Sequence, residues 1–306
     1  MIHHVFANRS NAGDWLSALG IRALLSPLPV REHLCDGPFV EETLRALADV
    51  RADDLVIVGG GGLFLDYFEP LWRGLLPIAR RASLVIWGVG VCDSVHRAST
   101  PSRTLVQDVV GAARLCVVRD ALTHDFIALP HVREPIACPT VNALEDRTSS
   151  PAGLVLHADH YDNVGAENFE KMERFASAHA AATQRRHRKT NNILEPGRRD
   201  ALDRIVGLYT SADVLLTSRL HGCIIAAAVG CPFLAVSGDR KVDSFMHAAG
   251  LQRWLCSLDE VDSVPARLEA LDRERPTANA FVAAARRDNH AFAEEVRRLA
   301  HETSAS

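Results

Sequence analysis

DDLVIVGGGGLFLDYFEPLWRGLLPIARRASLVIWGVGV, residues 53–91, is the stretch that decides the fold. Its two apolar ends, LVIVGGGG and LVIWGVGV, run almost without polar interruption and break into glycine. A strand with one face in water alternates apolar and polar residues, whereas a strand buried on both faces does not. Between the two runs, Phe68, Leu71, Trp72, Leu75, Leu76, Ile78 and Ala79 share one broad face at helical spacing. Strand, covering helix and second doubly buried strand make one parallel crossover unit.

The pattern extends both ways. HHVFAN (3–8) reads as a strand, AGDWLSALGIRALLS (12–26) as its helix, and ARLCVVRD (113–120) as a further buried strand. CPTVNALEDRTSSPAG (138–153) is rich in Pro, Ser, Thr and Gly without apolar periodicity, and marks a domain boundary. The alternation then restarts. AGLVLHADH (152–160) is a strand and AENFEKMERFASAHAAA (166–182) a helix. A weak strand is expected near NNILE (191–195) and a helix at RRDALDRIVGLYTSA (198–212). Strands DVLLTS (213–218) and PFLAVS (232–237) then flank the helix GCIIAAAVG (222–230). Segment 277–303 is one amphipathic helix, with Phe281, Val282, Ala285, Phe292, Val296 and Leu299 on its apolar side. The predicted fold class is α/β: two doubly wound, Rossmann-like domains facing a cleft, at residues 1–145 and 150–275, with a C-terminal helix at 276–306.

Composition narrows the function. With 306 residues, 47% apolar, and a net charge of -4, the chain lacks the basic footprint of a nucleic-acid binder. Its one basic cluster, Arg185-Arg186-His187-Arg188-Lys189, reads as a solvated loop or helix end. The seven cysteines form no CxxC pair and several sit in apolar runs, so they read as small buried hydrophobes in a reducing compartment. MIHHVFANRSNAGDW has neither the basic start nor the apolar core of a signal peptide, and no apolar run reaches the ~18 residues of a membrane span. A cytoplasmic protein is expected; peripheral membrane contact and oligomeric state stay open.

In doubly wound folds ligands sit beyond the carboxyl ends of the strands. After the first strand, Asp14 either caps a helix or grips substrate. Gly59 to Gly62 leave backbone N–H groups bare, which points to ligand contact by Gly60, Gly61 and Gly62 or to a tight packing turn. Phe64 at the third glycine position breaks the dinucleotide fingerprint. Arg119 follows a buried strand, where it either pairs with Asp120 or holds an anion. Ser218, Arg219, Leu220, His221 and Gly222 stand where strand hands over to helix, and a helix N-terminus beside a guanidinium suits an anion. A histidine ordinarily changes charge near neutral pH, and His221 would stand beside that anion. Asp239, Arg240 and Lys241 follow the last strand, either as surface charges or as part of the cleft. His157 and His160 also end a strand, with spacing that is a poor metal signal.

Taken together, NAGD (11–14), LVIVGGGGLF (55–64), WGVGV (87–91), VVRDALTHDFI (117–127) and LLTSRLHGCIIAAAVGCPFLAVSGDRKVDSFMHAAGL (215–251) resemble the polysaccharide pyruvyl transferase family, over roughly residues 5–255. The resemblance implies a fold like that of GT-B glycosyltransferases. It implies transfer of the pyruvyl group of phosphoenolpyruvate to sugar hydroxyls as a ketal, in bacterial cell-surface or exopolysaccharide biosynthesis. No metal or cofactor is implied; the acceptor is a sugar or a lipid- or nucleotide-linked saccharide. It assigns donor binding to Arg219, Leu220 and Arg119, the acid to His221, and the family's N-x-G-D acidic position to Asp14, which is then the candidate for acceptor binding or the base. Two departures stand out: Cys138-Pro139 where the family often has Asp-Pro, and LHADH where many members carry an arginine. A nucleotide-sugar glycosyltransferase of the same fold and a non-catalytic anion- or partner-binding member are the alternatives.

Overall fold

The computed structural model describes residues 1–93 and 100–304. The first half runs β1 (Ile2–Phe6), α1 (Ala12–Leu25), β2 (Val30–Leu34), α2 (Phe39–Ala46), β3 (Leu55–Phe64), α3 (Glu69–Ala79), β4 (Ser83–Val91), α4 (Arg103–Ala112), β5 (Leu115–Val118), α5 (Ala121–Ile127) and the short α6 (Thr140–Ala143). The second runs β6 (Leu154–Ala158), α7 (Tyr161–Val164), α8 (Ala166–Ala182), β7 (Arg186–Thr190), α9 (Ala201–Ser211), β8 (Val214–Thr217), α10 (Leu220–Val229), β9 (Phe233–Ser237), α11 (Arg240–Ala248), β10 (Leu255–Ser257), α12 (Val264–Glu274) and α13 (Asn279–Ser304).

Each half holds a five-stranded sheet, ordered β2-β1-β3-β4-β5 and β7-β6-β8-β9-β10, with every described pairing parallel. The two orders are the same doubly wound arrangement, with a switch point between β1 and β3 and another between β6 and β8. These are two Rossmann-like domains facing a cleft. Val56, Ile57 and Val58 on β3 and Leu84, Val85 and Ile86 on β4 are fully or almost fully buried, as the unbroken apolar runs require.

Two expectations fail. The basic cluster expected as a loop or helix end is β7, an edge strand whose half-exposed face takes its charges. Lys and Arg on an edge are a common guard against further strand pairing. The weak strand expected near NNILE is loop; only Ile193 pairs, in an antiparallel bridge to Asn11.

Two features join the domains. Around that bridge, Ala12 N–H donates to Asn192 O at 2.8 Å and Leu194 N–H to Ser10 O at 2.7 Å. Helix α13 spans both cores: Val282 and Ala285 pack in the second, while Phe292, Ala293 and Val296 cover the first sheet. Phe292 meets Trp87 edge-on at 5.0 Å, and Trp87 Nε1 donates to Asn289 Oδ1 at 2.9 Å. Among the described residues no helix is long and apolar enough to cross a membrane.

Candidate functional site

A cavity of about 370 Å³ lies between the carboxyl edges of the two sheets. From the first domain it takes Asn8, Asn11 and Asp14 beyond β1, Asp36 beyond β2, Gly62 and Tyr67 at the end of β3, Cys92 beyond β4 and Arg119 beyond β5. From the second it takes Asn163 beyond β6, Ser218, Arg219, Leu220 and His221 beyond β8, and Asp239 and Lys241 beyond β9.

The chain after β1 explains Asp14. Asn8 Oδ1 accepts from Asn11 N–H at 2.9 Å, and Asn11 Oδ1 accepts from Gly13 N–H at 2.9 Å. Asn11 is therefore the cap of α1. The capping role open to Asp14 is not the one it plays, and its carboxylate faces the cavity. Gly13 has a second duty: a Cβ there would stand 2.1 Å from His221 Cγ. The bare backbone of α1 is what lets the imidazole of the other domain lie against it. His221 Nδ1 comes within 4.0 Å of Asp14 Oδ1.

The glycine run of β3 is corrected in detail. Gly62 lines the cavity, but Gly60 and Gly61 do not. Both have positive φ, and both turn their open α-carbons toward α1. A Cβ on Gly60 would press on Ser17 at 3.0 Å, and one on Gly61 on Asp14 Oδ1 at 2.5 Å. Their work is close packing that leaves room for Asp14. Gly222 also lies outside the lining, facing Thr217 Oγ1 inside the β8–α10 junction.

Arg119 does two things. Its Nε donates to Asp120 Oδ2 at 2.9 Å and its Nη2 to Val91 O at 3.1 Å, so the structural pair is real. It nevertheless lines the cavity while only 7% exposed. Asp120 is itself held, capping α5 by accepting from Thr123 N–H at 2.8 Å. Lys241, with its Nζ 2.6 Å from Asp239 Oδ2, is a second cation paired in place. Of the three charges after β9, Asp239 and Lys241 belong to the cleft, whereas Arg240 points away to Asp93 at 3.0 Å. Arg219 differs from both. It occupies the cap position of α10, no side chain caps that helix, and its buried Nε has no hydrogen-bond partner among the described residues. A buried guanidinium nitrogen without a partner fits a ligand position.

The two titratable groups respond to this setting. Burial, then Arg119, Arg219 and Lys241, hold the His221 pKa well below its ordinary value. Burial pushes Asp14 up to about 6 against the pull of the same three cations. Both shifts favour the uncharged forms, an imidazole without its extra proton and a carboxyl that holds its proton more tightly than an ordinary Asp.

Cys138, legible in the sequence as a departure from the family's Asp-Pro and as a small buried thiol, lies at the site. Its Sγ stands 3.9 Å from His221 Nε2 and donates to Ser17 Oγ at 3.2 Å. The Cys-Pro departure thus falls directly behind the candidate acid. Asn8, Asp36 and Asn163 were missed; their only signal was a place a few residues beyond a strand end. Among the described residues no group of three or more His, Cys, Asp or Glu is placed to hold a metal ion.

The family model described as polysaccharide pyruvyl transferase matches residues 7–240, which contain every element of this cavity up to Asp239. The chain belongs to the polysaccharide pyruvyl transferase family. No curated protein sequence matches it. Among solved structures, UDP-GlcNAc 2-epimerase from Neisseria meningitidis, bound to UDP-GlcNAc, aligns with a TM-score of 0.59 at 10% identity, covering 97% of this chain and 99% of that one. The S. aureus MnaA–UDP complex aligns with 0.57 at 11% identity, covering 90% and 91%. Medicago truncatula UGT71G1 complexed with UDP-glucose aligns with 0.50 at 8% identity, covering 99% and 98%. At such identities the likeness is one of fold, and the fold is that of GT-B enzymes. Within that fold, this member of the pyruvyl transferase family places its R-L-H-G segment, Arg219 to Gly222, at the switch point of the second sheet.

Proposed function

We propose that this chain moves the pyruvyl group of phosphoenolpyruvate onto two hydroxyls of a sugar, forming a cyclic ketal and releasing inorganic phosphate. The setting would be the cytoplasmic assembly of a bacterial cell-surface or extracellular polysaccharide. The observation that carries the reading is a histidine and a carboxylate 4.0 Å apart under three converging cations, one of them, Arg219, without a partner at its buried Nε. A donor with a carboxylate and a phosphate matches Arg219, Arg119 and Lys241.

The electrostatics favour a donor that prepares its own acid. Part of what keeps His221 neutral is the field of those cations. A bound polyanion cancels that field and attracts an imidazolium, so the His221 pKa rises on binding. His221 then gives its proton to the methylene carbon, the alkene pair forms the new C–H bond, and positive charge develops at the carbon bearing the phosphate ester. A sugar hydroxyl attacks that carbon, passing its proton to Asp14. The ester C–O bond then breaks with its electron pair on phosphate, and the second hydroxyl closes the ketal. Asp14 passes the first hydroxyl proton on to the departing phosphate, and the second hydroxyl proton restores His221.

The test is incubation with phosphoenolpyruvate and a panel of lipid-linked and nucleotide-linked sugars, following phosphate release and the mass of the pyruvylated product. A His221→Ala protein that keeps near-wild-type turnover sinks the assignment of the acid; loss of about 10²–10⁴-fold supports it. The GT-B fold, shared with UGT71G1 in complex with UDP-glucose, suggests a rival, glycosyl transfer. Release of a nucleoside diphosphate in place of phosphate would establish it.

A further inference from the structure

We infer that the second domain carries a separate pocket, built on His157 and Asp159, that binds a pyranose ring of the acceptor saccharide. The inference rests on the acceptor being a saccharide, as proposed above, and adds where part of it is held.

His157 is the penultimate residue of β6, with 1% of its surface exposed, and neither ring nitrogen has a hydrogen-bond partner among the described residues. Asp159 is 3% exposed. Its Oδ1 accepts from Ser218 Oγ and, at 2.6 Å, from His160 N–H. Its Oδ2 has no such partner and stands 3.5 Å from His157 Nε2. Asp159 Oδ2 and both His157 ring nitrogens are thus buried without a hydrogen-bond partner among the described residues, and buried polar atoms are rarely left unpaired. A pocket of about 320 Å³ opens there, lined by His157, Asp159, Phe169, Lys189, Thr190 and Asn191.

The lining selects the ligand. Phe169 forms an apolar wall, its ring centroid 5.7 Å from that of His157. Carboxylate, imidazole, hydroxyl and amide groups complete it. A hexopyranose offers the matching surfaces, an apolar C–H face and hydroxyls that both donate and accept. A phosphate is disfavoured, because Asp159 puts a carboxylate in the lining and Lys189 is already paired with Glu173 at 2.7 Å. The pocket also adjoins the central cavity. Ser218 lines that cavity and Asp159 lines the side pocket, so the hydrogen bond from Ser218 Oγ to Asp159 Oδ1 joins the two linings. Asn163 Nδ2 donates to Ser218 Oγ from the cavity side at 3.3 Å.

The experiment is a titration of the full chain with methyl glycosides of glucose, galactose, mannose and N-acetylglucosamine, read by saturation-transfer NMR. Wild type, His157→Phe and Asn191→Trp are compared, the last substituting an exposed rim residue and blocking the mouth without entering the core. At least one glycoside should bind wild type, and both variants should weaken it by tenfold or more. Phosphoenolpyruvate should stabilise wild type and His157→Phe alike in a melting assay, which also verifies folding. If no glycoside binds, or if both variants bind it as wild type does, the unpaired atoms serve water alone and the inference is wrong. Failure of the pyruvyl reading would appear separately, as absence of a phosphoenolpyruvate effect on wild type.

Discussion

Replacing Gly13 with alanine separates activity from stability in a way that the interdomain geometry dictates. The added Cβ would sit 2.1 Å from His221 Cγ, where ordinary contact begins at 3.4 Å, so ring and helix must part by about 1.3 Å. Gly13 lies in the first turn of α1, and alanine is a better helix former by about 1 kcal/mol. That gain opposes an overpacking cost of about 1–3 kcal/mol, so the net change in stability is small. Catalysis has no such compensation. A displacement of about 1 Å at a reacting group costs on the order of 10²-fold in rate. The variant should therefore melt within about 5 °C of wild type while phosphate release from phosphoenolpyruvate with acceptor falls about a hundredfold. Differential scanning calorimetry and a coupled phosphate assay on the same preparation read both. Turnover within threefold of wild type would refute the claim that contact between α1 and His221 sets the catalytic geometry. A collapse of melting temperature with proportional loss of activity would refute the separation.

Three further outcomes follow from the same site. Burial raises the Asp14 pKa to about 6, so the folded state binds its proton more tightly than the unfolded chain, and this group's contribution to stability is lost as pH rises through that value. Asp14→Asn should accordingly melt above wild type at pH 8, by about 3 °C, with the gap closing toward pH 4, and a constant gap would contradict the burial argument. Arg219→Ala should abolish the upward melting shift that millimolar phosphoenolpyruvate gives wild type, and an intact shift would show that the donor sits elsewhere. Asn289→Ala leaves the buried Trp87 Nε1 without its acceptor and should destabilise the protein by about 1–3 kcal/mol in urea unfolding, leaving the phosphoenolpyruvate shift in place.

The fold was legible because burial on both faces writes itself into consecutive residues: Leu84 to Trp87 need no partner's position to be read as a central strand. The edges were less legible. Arg186 to Thr190 form β7 through backbone pairing with β6, which a run of basic side chains conceals. At the site, Arg219 and His221 stood out as charges in an apolar run. Lys241 was legible only as a charge with two possible sides, and Cys138 only as a departure from the family's Asp-Pro, because the direction of a first-turn lysine and the neighbours of a linker thiol depend on tertiary packing. The glycines show the limit most clearly. Gly13 matters because of His221, and Gly90 because a Cβ there would stand 2.1 Å from Arg119 Nε. No local pattern announces either partner.

Helix α13 bears on the order in which this protein can mature. The face of the first sheet that holds Trp87 is closed by Phe292, Ala293 and Val296, which emerge from the ribosome after both sheets have been made. The domain begun first is thus finished last. Until residues 279–304 arrive, Trp87 and Leu25 lack their cover, and the nascent chain carries an apolar face of the kind that chaperones engage.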